Sequence, residues 1–179
     1  MRRETRDVKG KIGASGMDPT HYALPSPVSR LPSPVFQWPL RVYWEDTDAG
    51  GVVYHAGYLR FLERARSEWL RAQGIEQQAV RNEHGVVFVV RDLSIEFLLP
   101  ARLDDELDVT VESVDLRSAS MSFVQRIVRR VDGASIAGAR VRAACIDAVS
   151  FKPCRIPEPL FAKQSMSREN PMSNQKPAV

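Results

Sequence analysis

The sequence predicts an α+β fold, in which an antiparallel sheet is wrapped around one long central helix. The first observation is a single stretch, residues 56–73, where apolar residues recur at helical spacing and charged residues occupy the other face. The second is that the chain after His84 is dominated by runs in which apolar and polar residues alternate. Such alternation is typical of strands with one buried face. One helix and several such strands are consistent with a single helix packed on the apolar face of a single sheet.

The prolines set the limits of the folded domain. Six of the 12 prolines lie in residues 1–39 and five lie in residues 153–179, while only Pro100 lies between them. Proline lacks the N–H donor and interrupts both helices and sheets. We therefore expect a disordered Pro-rich tail over residues 1–36, a folded domain over 37–153 and a second disordered tail over 154–179.

The predicted elements follow one another in the order β-α-β-β-β-β. A first strand is expected over residues 40–44, and the central helix after it buries an apolar stripe and stops near Gly74. A second short helix is expected over 75–82. Short polar connections between the later strands favour antiparallel neighbours, and the whole order is that of the hotdog arrangement. The stripe consists of Tyr58, Leu62, Ala65 and Trp69, and the later strands are expected over residues 93–97, 107–112, 121–130 and 135–149.

Composition argues against several classes of protein. Two cysteines and three scattered histidines cannot build a disulfide framework or a zinc site, so neither a metal nor a cofactor is expected. No apolar run approaches the roughly 20 residues of a membrane span, and no apolar stretch follows the basic N-terminus as in a secretory signal. The positive charge lies in the tails, since residues 31–152 hold 15 basic and 17 acidic residues. We therefore expect a cytoplasmic protein that does not bind nucleic acid.

The segment richest in chemistry runs from residue 42 to residue 69. Asp46 and Asp48 precede Gly50-Gly51, but a calcium loop needs Glu at its twelfth position, where Gly57 stands. The segment also lacks the Gly-Lys-Ser/Thr of a phosphate loop, and the chain has no Gly-x-Ser-x-Gly elbow. On the residues alone, several structural roles stay open. The two aspartates can cap a turn, His55 can be a polar residue at a helix start, and Glu63 can be a solvated ion-pair partner.

The same segment resembles a known family. Glu45-Asp-Thr-Asp-Ala-Gly-Gly-Val-Val-Tyr-His55, with Tyr58-Leu and Glu63-Arg-Ala-Arg-Ser-Glu68 after it, closely resembles the YbgC-type acyl-CoA thioesterases. These belong to the 4-hydroxybenzoyl-CoA thioesterase branch of the hotdog superfamily. The likeness continues through Val89-Val-Arg91 and Leu99-Pro-Ala-Arg-Leu-Asp-Asp105, and it covers roughly residues 40–150.

The resemblance implies an active site. It makes Asp48, and not Asp46, the catalytic carboxylate, acting as base or nucleophile. It also implies that backbone N–H groups around His55, at the start of the central helix, bind the thioester oxygen. The chain departs from the family at Gly57, where Asn or Ser is usual. Further contacts with substrate are expected from four residues: Tyr54, Gly57, Glu63 and Arg91.

The implied activity is hydrolysis of acyl-CoA to free acid and CoA. The resemblance also implies a homodimer or homotetramer, and Arg91 is a candidate for contact with a phosphate or with the neighbouring subunit. Three alternatives remain at this stage. The acyl group can be carried by an acyl carrier protein, the enzyme can be a dehydratase of β-hydroxyacyl thioesters, or the chain can be an interaction protein linked to the Tol–Pal envelope system.

Overall fold

A computed structural model describes residues 36–161, and its central element is one long helix. This helix, α1 (His55–Ala72), agrees with the predicted limits within one residue at each end. Gly74 ends it by adopting a left-handed conformation, with φ of 77°. The predicted apolar stripe is confirmed, because all four of its residues are buried: Tyr58, Leu62, Ala65 and Trp69.

Five antiparallel strands form one sheet on which this helix lies. They are β1 (Phe36–Arg41), β2 (Val86–Phe97), β3 (Glu106–Arg117), β4 (Ser120–Arg129) and β5 (Ser135–Asp147), and their order across the sheet is β1-β3-β4-β5-β2. The helix α1 packs against β1, β3 and β4, and a short helix α2 (Gln77–His84) packs against β2. The predicted α+β hotdog fold, with a sheet around a central helix, is confirmed.

The predicted first strand is wrong in its position. The strand spans Phe36–Arg41 rather than residues 40–44, and it includes Pro39. Proline is tolerated there because β1 lies at the edge of the sheet. The aromatic run misled the prediction: Tyr43 and Trp44 leave the sheet, enter a 3-10 turn over Trp44–Asp46 and are largely exposed.

The strand expected over residues 93–97 also has different limits. It begins at Val86, and its pairing with β5 shifts register between Val90 and Asp92. The extra residue of this β-bulge is Arg91. A bulge interrupts the alternation of side chains, so the alternating pattern in the sequence marked only the part of the strand after Arg91.

The C-terminal boundary of the folded domain lies further along the chain than expected. Residues 154–161 were assigned to a tail, but Ile156 and Leu160 pack against the core. The ring of Phe161 stacks on Trp69 of α1, with 6.2 Å between centroids and 18° between planes. These apolar contacts attach residues 154–161 to the core despite the prolines among them. The remainder of the predicted tails, residues 1–35 and 162–179, lies outside the described residues.

A buried polar pair joins the central helix to the middle of the sheet. Arg66 of α1 donates a hydrogen bond to Oε1 of Gln125 on β4 at 2.7 Å, and Nε2 of Gln125 donates to the carbonyl of Leu62 at 3.1 Å. Arg66 is 8% exposed and Gln125 is fully buried. Burial lowers the pKa of the Arg66 guanidinium, although the charge of Glu63 opposes that shift. The pair therefore fixes the helix over one point of the sheet.

Candidate active site

Asp48 lies in a tight loop between the first strand and the central helix. Thr47 and Val53 form an antiparallel bridge, and inside it the N–H of Asp48 donates to the carbonyl of Val52 at 2.9 Å. The N–H of Gly51 donates back to the carbonyl of Asp48 at 3.0 Å. Gly51 has φ of 73°, a left-handed conformation that favours glycine. The backbone thus holds this loop in one conformation and leaves Asp48 exposed.

The carboxylate of Asp48 is oriented by the next glycine. The N–H of Gly50 donates to Oδ1 of Asp48 at 2.8 Å. A Cβ at position 50 would lie only 3.0 Å from the same oxygen, so a larger residue would push the carboxylate away. Within residues 36–161, Oδ2 of Asp48 has no hydrogen-bond partner. One oxygen is therefore anchored while the other is available to act on a bound molecule.

Asp46 has a different environment, although it stands only two residues away. Its side chain is buried at 3% exposure, and Oδ2 accepts a hydrogen bond from the N–H of Tyr43 at 3.0 Å. Oδ1 lies 3.7 Å from the guanidinium of Arg60, and the backbone carbonyl accepts the N–H of Tyr54 at 2.9 Å. Asp46 thus ties the loop to the start of the helix, which is the structural role that the sequence left open for both aspartates.

The first turn of α1 follows this loop directly. Its N-cap residue, Tyr54, makes no side-chain hydrogen bond to the turn. Its carbonyl accepts the N–H of Gly57 at 2.7 Å, but no acceptor among the described residues binds the N–H of His55 or Ala56. Unpaired N–H groups and the positive end of the helix dipole make such a terminus suited to an oxyanion. The side chain of His55 is exposed, with its ring 4.3 Å from that of Tyr54.

Gly57 is buried where the helix lies on the loop. A Cβ there would be 3.2 Å from Cγ1 of Val53 and 3.6 Å from the carbonyl oxygen of Asp46. The missing side chain therefore allows a close approach between helix and loop. The predicted contact of Gly57 with substrate stays a prediction.

A second loop, which carries the later part of the sequence resemblance, packs against the first. The N–H of Val53 donates to the carbonyl of Ala101 at 2.8 Å, and the N–H of Ala101 donates to the hydroxyl of Tyr58 at 3.0 Å. Burial raises the pKa of Tyr58, and the negative charges of Asp105 and Asp48 raise it further. The sequence placed Tyr58 only in the apolar stripe. The Tyr58 hydroxyl also binds the loop at Ala101, and the motif at residues 99–105 was the sequence signal that could have indicated this contact.

Two predicted substrate contacts lie away from this loop within the chain. Glu63 is eight residues after His55, or about 12 Å along the helix, and it accepts a hydrogen bond from Ser67 at 2.7 Å. Together with Phe88 and Val90 it lines a small cavity of about 70 Å³ between α1 and β2. Arg91 is exposed in the bulge of β2, at the far edge of the sheet. The structure therefore groups Asp48, Tyr54 and His55, but neither Glu63 nor Arg91, around the loop.

Exposed apolar side chains adjoin the Asp48 loop. Tyr43, Trp44 and Tyr54 flank it in the chain, and Trp44 is 78% exposed. Phe97 has its ring 5.5 Å from that of Tyr58, and the exposed Leu98 and Leu99 follow it. An apolar surface next to an exposed carboxylate is suited to a ligand with a hydrophobic part.

Residues 42–164 match the sequence profile of the thioesterase-like superfamily. The chain belongs to this superfamily. It is 46% identical over 129 residues to the acyl-CoA thioester hydrolase YbgC of Escherichia coli O6:H1, and this match covers 72% of the chain and 95% of that protein. It is 44% identical over 127 residues to the acyl-CoA thioesterase YbgC of Haemophilus influenzae, covering 71% of the chain and 92% of the relative. The predicted resemblance to YbgC-type thioesterases is confirmed, and the chain is a thioesterase.

Solved structures of thioesterases share its fold. The crystal structure of a probable thioesterase from Bartonella henselae is 37% identical, with a TM-score of 0.63, and the match covers 68% of this chain and 98% of that one. A 1,4-dihydroxy-2-naphthoyl-CoA thioesterase from Synechocystis is 23% identical, with a TM-score of 0.68, and the match covers 76% of this chain and 98% of that one. The second likeness concerns the fold alone.

The described part of this thioesterase contains no group of three or more histidine, cysteine or acidic side chains placed to hold a metal ion. Within residues 36–161, no helix is long and apolar enough to cross a membrane.

Proposed function

We propose that this thioesterase hydrolyses acyl-CoA thioesters to a free acid and CoA, with Asp48 as general base or nucleophile. The observation that carries the proposal is the arrangement of Asp48. One carboxylate oxygen is anchored by Gly50, and the loop leads directly into a helix terminus without a side-chain cap. The acyl-CoA names of the two YbgC relatives support CoA as the carrier of the acyl group.

The chemistry requires few groups. A thiolate is a good leaving group, because a free thiol has a pKa near 8.5, so no strong general acid is needed. In this proposal Oδ2 of Asp48 takes a proton from water or attacks the thioester carbonyl itself. The N–H groups of His55 and Ala56 then stabilise the negative charge that develops on the carbonyl oxygen. The C–S bond breaks and sulfur leaves as CoA thiolate. When water is the nucleophile, the acid forms in this step; when Asp48 is the nucleophile, water then hydrolyses the acyl–Asp48 anhydride to the acid and free Asp48.

The apolar surface beside Asp48 supports a hydrophobic acyl group. Trp44, Tyr54 and Phe97 are exposed in the single chain and would contact an acyl chain, a second subunit or both. This surface does not favour one acyl length. An activity series over acyl chain lengths and aromatic acyl groups, with acyl carrier protein as a second carrier, determines the preference.

Assembly is part of the proposal. The edge strand β2 presents Val89 and Val90, at 37% and 51% exposure, next to the bulge at Arg91. An edge strand has unpaired backbone N–H and C=O groups that can form hydrogen bonds with a strand of another chain. We expect a second copy to pair along β2, which would place Arg91 near the neighbouring subunit or a CoA phosphate. Light scattering of the active enzyme should give a dimer or tetramer, and a fully active monomer would contradict this part.

The Asp48→Asn variant tests the reaction, with Asp46→Asn as its matched control. Asn at position 48 can still accept the hydrogen bond from Gly50, so the loop should keep its shape while kcat falls roughly 100-fold or more. Asn at position 46 can still accept from Tyr43 and loses only an ion pair with the exposed Arg60, so its kcat should change little. Release of CoA is followed with a thiol reagent, against a blank that corrects for the protein's own cysteines. Near-normal turnover of Asp48→Asn would contradict the proposed role.

A further inference from the structure

The two cysteines of the chain lie directly opposite each other. Cys145 is near the end of β5, where Ile146 pairs with Pro153 in an antiparallel bridge. The N–H of Cys154 donates to the carbonyl of Cys145 at 3.0 Å, which continues the same register by one residue. The two sulfur atoms are 3.6 Å apart, and both cysteines are free thiols.

This geometry is compatible with a disulfide. Residues that face each other on antiparallel strands have Cα atoms about 4.5–5.5 Å apart, within the range that disulfides span. Bond formation needs the sulfurs to approach to about 2.05 Å, which is a change of about 1.5 Å. Small side-chain rotations can supply it, and the backbone already holds the partners in register. The sequence has only these two cysteines, so neither has a competing partner in the same chain.

The two thiols differ in accessibility and acidity. Cys145 is fully buried, and burial raises its pKa to about 12, with the hydrogen bond and charge of Cys154 adding to the shift. Cys154 is partly exposed. An oxidant from solvent therefore meets Cys154 first, while Cys145 is protonated and shielded. The buried thiol is placed to react with an oxidised Cys154 rather than with the oxidant.

We propose that Cys145 and Cys154 form a site of reversible oxidation, which a peroxide converts to an intramolecular disulfide. The Cys154 sulfur attacks one peroxide oxygen, the O–O bond breaks, and a sulfenic acid and one water result. The Cys145 sulfur then attacks the Cys154 sulfur, the S–O bond breaks, and the Cys145 proton leaves with the hydroxide as a second water. Two thiols are oxidised and one peroxide is reduced. A small dithiol returns both cysteines to the reduced state.

The disulfide would fasten the C-terminal segment to the sheet. Cys154 begins the stretch that carries Ile156, Leu160 and Phe161, and Phe161 stacks on Trp69 of the central helix. In the reduced chain the segment is held by apolar contacts and a few backbone hydrogen bonds, including that of the Ile156 N–H to the Ser118 carbonyl. The oxidised chain adds a covalent link at the start of this segment. Amide hydrogen exchange over residues 156–161 should therefore slow on oxidation.

Mass spectrometry of the full chain tests the proposal. The protein is treated with hydrogen peroxide, quenched with an alkylating reagent and digested under non-reducing conditions. Trypsin leaves both cysteines in peptide 143–155, because Pro153 follows Lys152. This peptide should lose the mass of two hydrogens and resist alkylation. Cleavage before Asp147 should then yield two fragments that stay linked until a dithiol is added.

Single-cysteine variants separate the two roles. In Cys145→Ser, Cys154 should stop at the sulfenic acid and be trapped by a 1,3-dione probe. In Cys154→Ser, the buried Cys145 should stay unmodified at the same peroxide dose. The proposal would be overturned if wild-type peptide 143–155 carried a trapped sulfenic acid with no disulfide. It would equally be overturned if Cys154 linked two chains instead. Neither outcome depends on which thioester the enzyme hydrolyses.

Discussion

The N–H of Gly50 lies 2.8 Å from Oδ1 of Asp48, and this contact orients the carboxylate on which the proposed reaction depends. The contact relies on the absence of a side chain at position 50, because a Cβ there would stand 3.0 Å from the same oxygen. The neighbouring Gly51 has a different function, since its left-handed backbone closes the turn. Gly50 is therefore needed because a side chain would displace the carboxylate, and Gly51 is needed because the turn requires a left-handed backbone.

Gly50→Ala should lower turnover without unfolding the protein. The added methyl group displaces the Asp48 carboxylate by a few tenths of an ångström or more, and misplaced catalytic groups cost up to about 100-fold in rate. Gly133→Ala is the matched control: this residue has φ of 70° in the turn between β4 and β5, and a Cβ there meets nothing within 4 Å. The control should lower the melting temperature and leave kcat unchanged. Equal kcat values for both variants would contradict the orienting role of Gly50.

Asp46→Ala should act on stability. The buried carboxylate accepts the N–H of Tyr43, and its removal leaves that partly buried donor without its acceptor. The expected loss is about 1–2 kcal/mol in the free energy of unfolding, measured by urea denaturation. Asp46→Asn should restore most of it, because the amide oxygen can accept the same hydrogen bond. If alanine and asparagine were equally destabilising, the ion pair with Arg60 would be the main contribution of Asp46.

The sequence predicted the parts of the fold that local periodicity controls. The apolar stripe of α1 is buried as predicted, because spacing on a helix is nearly independent of what the helix packs against. The first strand was misplaced because the pattern does not reveal that β1 is an edge strand, where Pro39 is tolerated. Phe161 was missed for a similar reason. Its partner Trp69 is 92 residues earlier in the chain, and no local pattern links them.

The candidate site was predictable where it consists of one continuous segment. The resemblance assigned Asp48 and the helix start, and the structure places both in one loop-and-helix unit. Residue type alone could not separate Asp46 from Asp48, because their difference lies in burial and hydrogen bonding. The sequence assigned Tyr58 only to the apolar stripe. Its hydroxyl accepts the N–H of Ala101, and no local pattern reveals a contact between residues 43 positions apart. Such pairings depend on the tertiary fold.

Truncation separates the C-terminal segment from the rest of the predicted tail. A chain that ends after Pro157 loses Leu160 and Phe161, which pack on the core around Trp69. Removal of this apolar contact should cost roughly 2 kcal/mol and lower the melting temperature by about 5 °C. A chain that ends after Phe161 is expected to melt as the full chain does. If both truncated chains melted alike, the stacking on Trp69 would contribute nothing measurable.

The buried pair of Arg66 and Gln125 should behave as a coupled unit. Gln125→Leu leaves a buried guanidinium without its acceptor at 2.7 Å and removes the side-chain N–H that the Leu62 carbonyl accepts, so we expect a loss of about 3 kcal/mol in the free energy of unfolding.

Arg66→Met should cost less, since it leaves only the neutral Gln125 oxygen unpaired. Replacing both residues by apolar ones removes every unpaired group at once, so the double variant should be more stable than the sum of the single losses predicts. Urea denaturation of the four proteins in this double-mutant cycle gives the coupling free energy directly. An additive double variant would show that the hydrogen bond does not connect α1 to β4 energetically. The position of the helix would then depend on apolar packing around Leu62 and Trp69 alone.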